Sequence, residues 1–95
     1  MINGITEKEE SIIKEILSKY PYEFYYYGSR VKGHYTIGSD LDILLVAENE
    51  ILQSEIEKID LEFNKSLIPY KVNICQKAKM EDYFYKMIEK DLVKI

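Results

Sequence analysis

Apolar residues recur at helical spacing in three parts of the chain, which predicts three amphipathic helices. The periodic positions are Ile12, Ile13, Ile16, Leu17 and Tyr20; Leu52, Ile56, Ile59 and Phe63; and Met80, Phe84, Met87 and Ile88. The first helix should begin at Thr6-Glu7-Lys8-Glu9, which has the form of a capping box, and should end at Pro21. The second should span roughly Glu50 to Lys65.

Three further runs, at 23–27, 41–47 and 70–75, predict β-strands because they are aromatic or apolar. The run at 41–47, LDILLVA, has one polar interruption and suits a central strand covered on both faces. A loop with one helical turn at 30–32 joins the first two strands, which we expect to be antiparallel. A helix joins the last two, which we expect to be parallel through a right-handed crossover.

The predicted order is therefore helix, strand, turn, strand, helix, strand, helix. This order indicates an α/β (α+β) fold, in which a small mixed sheet of three to four strands packs against helices. The 95 residues fit one domain, 1–95, and 46% hydrophobic with 32% charged residues is a globular composition. The net charge of −4 argues against a general nucleic-acid binder, whose affinity depends on Lys and Arg, so no direct nucleic-acid binding is expected.

The cellular compartment is predicted from cysteine usage and from apolar runs. The single cysteine, Cys75, cannot form an internal disulfide, which favours a reducing compartment. The N-terminal residues MINGITEKEE lack the features of a signal peptide. No apolar run approaches the ~20 residues needed to span a bilayer. We therefore expect a cytoplasmic protein without a membrane partner.

Two carboxylates stand at the start of the central apolar run. Asp40 and Asp42 are one residue apart, so in an extended strand both point to the same face, while Leu41 and Ile43 point into the core. Two adjacent carboxylates repel each other unless a cation neutralises them. Mg²⁺ prefers oxygen ligands and is commonly held by one or two carboxylates together with substrate phosphates. The pair therefore predicts a magnesium site.

The segment upstream of the carboxylates predicts a phosphate site. Gly28 and Ser29 follow a strand and open the helical turn, where glycine allows close approach and N–H groups attract anions. Arg30 and Lys32 add positive charge for the same ligand. Each part also has a simpler interpretation: Gly-Ser as an ordinary turn, the basic pair as surface charges, and Asp-x-Asp as a chance occurrence. Their combination within one loop favours a nucleotide site.

The motif GSRVKG at 28–33, followed by SDLDILL at 39–45, resembles the nucleotidyltransferase signature of the DNA polymerase beta superfamily. The short length and the N-terminal helix resemble its minimal nucleotidyltransferase branch, and the predicted element order matches that fold over nearly the whole chain. The resemblance implies that Gly28 and Ser29 grip a nucleoside triphosphate. It also implies that Asp40 and Asp42 bind two Mg²⁺ ions.

The chain departs from this family at one catalytic position. Members usually carry a third carboxylate on the strand beside the pair, where it completes the metal site and helps to deprotonate the attacking hydroxyl. The matching residue in the run YKVNICQ is Asn73, and no Asp or Glu lies between Phe63 and Glu81. Because an amide is uncharged and cannot act as a base, the second metal ion should be held more weakly.

Three hypotheses follow. The first is an enzyme that transfers AMP from Mg-ATP to a hydroxyl; the resemblance implies a tyrosine of a partner HEPN-domain toxin, with this chain as the antitoxin. The second is a binding module that neutralises its partner by contact alone, which Asn73 favours. The third is a sensor that binds nucleotide without chemistry. Nine tyrosines, three of them consecutive at 25–27, are compatible with a protein interface or an oligomer as well as with a core.

Overall fold

The computed structural model describes residues 2–36 and 38–95, which contain four α-helices and four β-strands. In chain order they are α1 (Glu7–Leu17), β1 (Glu23–Tyr27), α2 (Ser29–Lys32), β2 (Leu41–Val46), α3 (Gln53–Asn64), β3 (Val72–Gln76), α4 (Asp82–Ile88) and β4 (Val93–Lys94). Short 3₁₀ turns precede and follow α4. None of the helices in these residues is long and apolar enough to cross a lipid bilayer.

The strands form one mixed sheet in the order β3-β2-β1-β4. The antiparallel pairing of β1 with β2 and the parallel pairing of β2 with β3 are as predicted. The short strand β4 completes the sheet by pairing antiparallel with the other edge of β1. The predicted fold class, a small mixed sheet with helices, is therefore confirmed.

Helices cover both faces of the sheet, as the apolar run of β2 predicted. Leu41 and Ile43 are fully buried in the main core, which also contains the apolar faces of α1 and α3. The alternate residue Leu44 points to the opposite face, where it packs with Tyr27 and with Ile88 of α4. The consecutive tyrosines alternate between the two faces in the same way: Tyr26 lies in the main core, whereas Tyr27 packs on the face of Leu44. The rigid centre of the sheet thus holds the chain segment that carries the two aspartates.

The first helix begins as predicted and ends earlier. The Thr6 hydroxyl accepts from the Glu9 N–H, and the Glu9 carboxylate accepts from the Thr6 N–H, which completes the capping box. The prediction that Pro21 ends the helix is wrong, because α1 stops at Leu17. Backbone N–H groups at 19 and 20 bond to carbonyls three residues earlier, and this tighter winding ends the α-helix before the proline acts.

Boundaries near α3 and α4 also differ from the prediction. The second amphipathic helix starts at Gln53 rather than near Glu50, and Leu52, predicted for its apolar face, is 74% exposed at the N-cap. On α4, Phe84 and Met87 are likewise exposed. Periodicity alone counted these residues as core, whereas this small sheet has no further layer to cover them.

Tyr20 joins α1 to α3 and predicts an alkaline loss of stability. Its hydroxyl donates to Glu62, which also accepts from Lys19 at 2.6 Å. Burial, and then this hydrogen bond, raise the pKa of Tyr20 from 10.0 to about 12. The neutral phenol therefore contributes stability that is fully present below pH 10 and is lost as the pH rises toward about 12.

Replacing Tyr20 by Phe should cost about 1 kcal/mol of unfolding free energy at pH 8 and should make the decline above pH 10 shallower. Urea denaturation at a series of pH values measures both effects. Tyr83→Phe is the matched control, because that side chain is 65% exposed. Equal alkaline slopes for wild type and Tyr20→Phe would contradict the assignment.

Candidate active site

The two aspartates lie where β2 enters the sheet. Asp42 is in β2 and half-buried, whereas Asp40 immediately precedes the strand and is exposed. The intervening Leu41 is fixed on both sides, since its side chain is buried in the core and its N–H donates to the Lys71 carbonyl at 2.8 Å. This alternation leaves the two carboxylates on the face opposite the main core.

Asn73 lies beside the pair, at the position that the family resemblance implies for the third carboxylate. It is the register partner of Asp42 in the parallel β2–β3 ladder. Its side-chain Nδ2 donates to Asp40 Oδ2 at 2.9 Å and to Asp42 Oδ1 at 3.4 Å. The amide therefore bridges both carboxylates and offsets part of their repulsion without adding a charge.

The electrostatic environment of Asp42 is unfavourable for a lone carboxylate. Burial raises the pKa of Asp42; the hydrogen bond from Asn73 lowers it, and the charge of Asp40 raises it further. A cation between the two carboxylates would reverse this balance, because it favours the ionised form of both. The protein thus retains a carboxylate pair whose environment favours binding of a positive charge.

Gly28 provides the surface against which Asp42 packs. Its φ of +87° and ψ of −156° lie in a region of backbone conformation that is essentially restricted to glycine. A Cβ atom at this position would lie 2.4 Å from Asp42 Oδ2. Glycine is therefore needed here for two reasons, the backbone conformation and the close approach of the carboxylate.

We expect Gly28→Ala to displace the Asp42 carboxylate and to destabilise the protein by more than Gly33→Ala does. Gly33 also has a positive φ, +83°, but a Cβ there would meet only Asn3 Nδ2 at an ordinary 3.7 Å. The control should therefore show only the conformational cost, about 1–2 kcal/mol. Thermal denaturation and Mn²⁺ titration of both variants measure the difference, and equal losses of stability and of Mn²⁺ affinity would contradict it.

The residues predicted to bind the triphosphate do not all lie together. Ser29 opens the single turn α2 directly after Gly28, where the first N–H groups have no acceptor within the helix. Lys32 is half-exposed, and its Nζ lies 3.6 Å from Asp91 Oδ2. The Arg30 side chain is buried, and its N–H groups donate to backbone carbonyl oxygens of the chain. The structure thus places Gly28 against the carboxylate pair and directs the Arg30 guanidinium into the protein.

The donor atoms fit a hard divalent cation. Asp40 and Asp42 supply carboxylate oxygens, and rotation of the Asn73 amide would present its Oδ1 to the same point. Within residues 2–36 and 38–95, no group of three or more His, Cys, Asp or Glu side chains could hold a metal ion. Substrate phosphates and water must therefore complete the coordination, which is the usual arrangement for Mg²⁺.

Sequence reasoning missed two other polar residues on this face. Tyr27 is the register partner of Asp42 in β1, and Cys75 of β3 packs in the same cluster on this face. Burial, and then the nearby Cys75 thiol, raise the pKa of Tyr27 above its ordinary value. Alternation along β3 could have revealed Cys75, because it lies two residues after Asn73 and so on the same face. The place of Tyr27 depends on its register with Asp42, which the sequence does not give.

One cavity adjoins Asp42 along the β3 edge, and a second cavity, lined by neither Asp40 nor Asp42, lies next to it. The smaller, of about 380 Å³, is lined by Asp42, Asn73 and Asp60 of α3. The larger, of about 580 Å³, continues toward Phe84 of α4 and shares Asp60 and Cys75 with the smaller one. Burial raises the pKa of Asp60. The site is thus open on one side to a molecule much larger than a metal ion.

Comparisons with known proteins identify the family of this chain. A family profile described as a nucleotidyltransferase domain matches residues 9–95. A Haemophilus influenzae protein designated probable protein adenylyltransferase MntA is 30% identical over 93 residues, which cover 96% of this chain and 82% of that protein. A Sulfolobus solfataricus crystal structure designated a nucleotidyltransferase is 25% identical, with a TM-score of 0.53 over 90% of this chain and 73% of that one. The chain belongs to the nucleotidyltransferase domain family.

Proposed function

We propose that this nucleotidyltransferase is a protein adenylyltransferase that moves AMP from Mg-ATP to a tyrosine hydroxyl of a partner HEPN-domain toxin, and that it thereby acts as an antitoxin. The observation that carries the proposal is the carboxylate pair Asp40 and Asp42, which Asn73 bridges and of which Asp42 packs against Gly28. The chain that carries this pair is 30% identical to a protein designated a probable protein adenylyltransferase. The nucleotide, the toxin and the antitoxin role rest on the family resemblance. The cytoplasm, which is reducing and contains ATP, is the compartment we propose for this reaction.

The residues of this chain would have separate roles in the transfer. Asp40 and Asp42 would hold Mg²⁺, whose charge would neutralise the triphosphate and polarise the reacting phosphorus. Gly28 leaves room for the Asp42 carboxylate, and the next residue, Ser29, would supply a hydroxyl and a backbone N–H as donors to the phosphates. The acceptor tyrosine would approach from the open side along β3. Its oxygen would form a bond to the α-phosphorus of ATP as the bond to the leaving pyrophosphate breaks, and its proton would pass to water. Positioning and electrostatic stabilisation, rather than covalent catalysis, carry phosphoryl-type transfers of this kind.

Asn73 favours a second candidate function, neutralisation of a partner by contact alone. Its amide donates to both carboxylates, so it competes with a cation for the same oxygen atoms. It also cannot accept the proton of the attacking hydroxyl. In this alternative the fold and the nucleotide site are retained, while surface complementarity inhibits the toxin.

Intact-mass spectrometry separates the two candidates. A purified HEPN-domain protein encoded beside this chain is incubated with the chain, Mg²⁺ and ATP, and its mass is then measured. A gain of one AMP unit per modified site, located on a tyrosine by peptide sequencing, is the result expected for the enzyme. An unmodified HEPN protein whose ribonuclease activity is nevertheless inhibited, also by the Asp40→Asn/Asp42→Asn variant, would support contact alone.

A further inference from the structure

Arg30 is the largest fully buried side chain of the protein among residues 2–36 and 38–95, with 2% of its surface exposed. Its Nη2 and Nε donate to the Ser39 carbonyl oxygen at 2.8 and 3.3 Å. Its Nη1 donates to the carbonyl oxygens of Gly4 and Asn3 at 3.1 and 3.3 Å. One guanidinium therefore binds two chain segments that are far apart in sequence.

The charge of Arg30 has no carboxylate partner in the described part of the chain. Its Cζ lies 4.2 Å from the centre of the Tyr70 ring and 5.3 Å from that of Tyr35, so the two aromatic rings stabilise the cation. A buried charge compensated only by carbonyl dipoles and aromatic rings is a costly arrangement. This cost implies that the Arg30 guanidinium has a role that an uncharged side chain could not fill.

Ser39, whose carbonyl accepts two of these bonds, is the residue directly before Asp40. On the other side of Asp40, the Leu41 N–H is fixed to Lys71. Asp40 itself is exposed, and its only described side-chain hydrogen bond is the one from Asn73. On its N-terminal side the Ser39 N–H also donates to the Thr36 carbonyl at 3.0 Å, but that bond stays within the loop. The Arg30 contact ties Ser39 to the distant residues Asn3 and Gly4, and without it the backbone before Asp40 would lose that anchor.

We propose that Arg30 is a positioning residue of the metal site, which fixes the Asp40 carboxylate through the Ser39 carbonyl rather than binding phosphate itself. The planar fork of Arg can donate to one carbonyl through two nitrogens and still reach a second segment, which the single ammonium group of Lys cannot do. The inference concerns the metal site that the proposed function uses, but its test requires neither ATP transfer nor an acceptor.

The segment before α1 becomes part of this support. Asn3 N and Nδ2 both donate to the Arg30 carbonyl, at 3.0 and 2.6 Å. Gly4 has a φ of +76°, and a Cβ there would lie 2.5 Å from Arg30 Nη1 and also 2.5 Å from Tyr35 Cε2. Gly4→Ala should therefore displace the guanidinium together with the Tyr35 ring that it contacts, while leaving Arg30 and both aspartates in the sequence.

Amide hydrogen exchange of metal-free protein is the first test. In Arg30→Lys, we expect the amides of residues 39–41 to exchange at least about tenfold faster, because charge-assisted hydrogen bonds are lost, while amides in the middle of α3 change much less. Gly4→Ala should show the same faster exchange at residues 39–41. It replaces Arg30→Lys as the test variant if Arg30→Lys does not fold. Gly33→Ala, with the same positive φ but an open surrounding, is the matched control and should leave residues 39–41 unchanged.

Mn²⁺ titration in a double-mutant cycle is the second test. Arg30→Lys should weaken Mn²⁺ binding about tenfold in the wild-type background, as loss of a residue that orients a metal ligand usually does. In the Asp40→Asn background, the same substitution should have little further effect. Unchanged exchange at residues 39–41 in the variants, or Mn²⁺ losses that simply add in the cycle, would overturn the proposal, whether or not the protein transfers AMP.

Discussion

The double variant Asp40→Asn/Asp42→Asn should lose metal-dependent binding of ATP and should transfer nucleotide at least about 1,000-fold more slowly than wild type. Stabilisation of transition-state charge by a bound metal amounts to several kcal/mol, and each 1.36 kcal/mol corresponds to about a factor of ten in rate. The variant keeps the shape of both side chains and removes the two negative charges. Asn73 then has no anionic partner at this site.

Titration calorimetry with Mg²⁺ and ATP, on wild type and on the double variant, measures the loss directly. The charge-matched control is Glu48→Gln/Asp82→Asn, which removes two exposed carboxylates and should bind as wild type does. Without metal, the melting temperature of the active-site variant should be unchanged or higher, because removal of a repelling pair relieves a cost retained for function. Equal metal–nucleotide affinity in both proteins would contradict a metal site at this pair.

Asn73→Asp should strengthen Mg²⁺ binding and raise any transfer rate, by up to about 10²-fold. The new carboxylate supplies a negative ligand near the attacking hydroxyl and can accept its proton. Supporting contacts for a carboxylate are missing at this position, so the gain should be smaller than in an enzyme that evolved with it. In the absence of metal the same substitution should be destabilising. It replaces two donated hydrogen bonds, at 2.9 and 3.4 Å, with repulsion from both neighbours.

Melting curves with and without Mg²⁺ show whether the stability change in Asn73→Asp comes from the added charge or from altered packing. Asn73→Asp should melt below wild type without metal and should gain more on addition of Mg²⁺. Asn49→Asp, an exposed position in the loop after β2 and outside the cavity that Asp42 and Asn73 line, controls for the added charge. If wild type is already active and Asn73→Asp transfers nucleotide at the same rate, two carboxylates are sufficient for the transfer. If wild type and Asn73→Asp are both inactive while Asp40→Asn still inhibits the partner, contact is the mechanism.

The sequence alone determined the architecture and the position of the carboxylates. The continuous apolar run of β2 requires cover on both faces, and alternation along a strand places Asp40 and Asp42 together once Leu41 and Ile43 are in the core. The helix between β2 and β3 requires a parallel pair. These inferences succeed because each depends on local periodicity and on the handedness of the chain. Local periodicity also explains the failures at Leu52 and Met87, since it does not show how much surface a fold of this size can cover.

The tertiary structure alone decided how those residues are held. Arg30 appeared in the sequence as a cation beside a phosphate loop, but the carbonyls of Asn3 and Gly4, distant along the chain, capture its guanidinium. The closeness of Gly28 to Asp42 and the bridge from Asn73 are likewise contacts between separate strands and turns. Hydrogen-bond partners and steric contacts depend on distances between segments, and those distances are fixed only when the sheet has assembled.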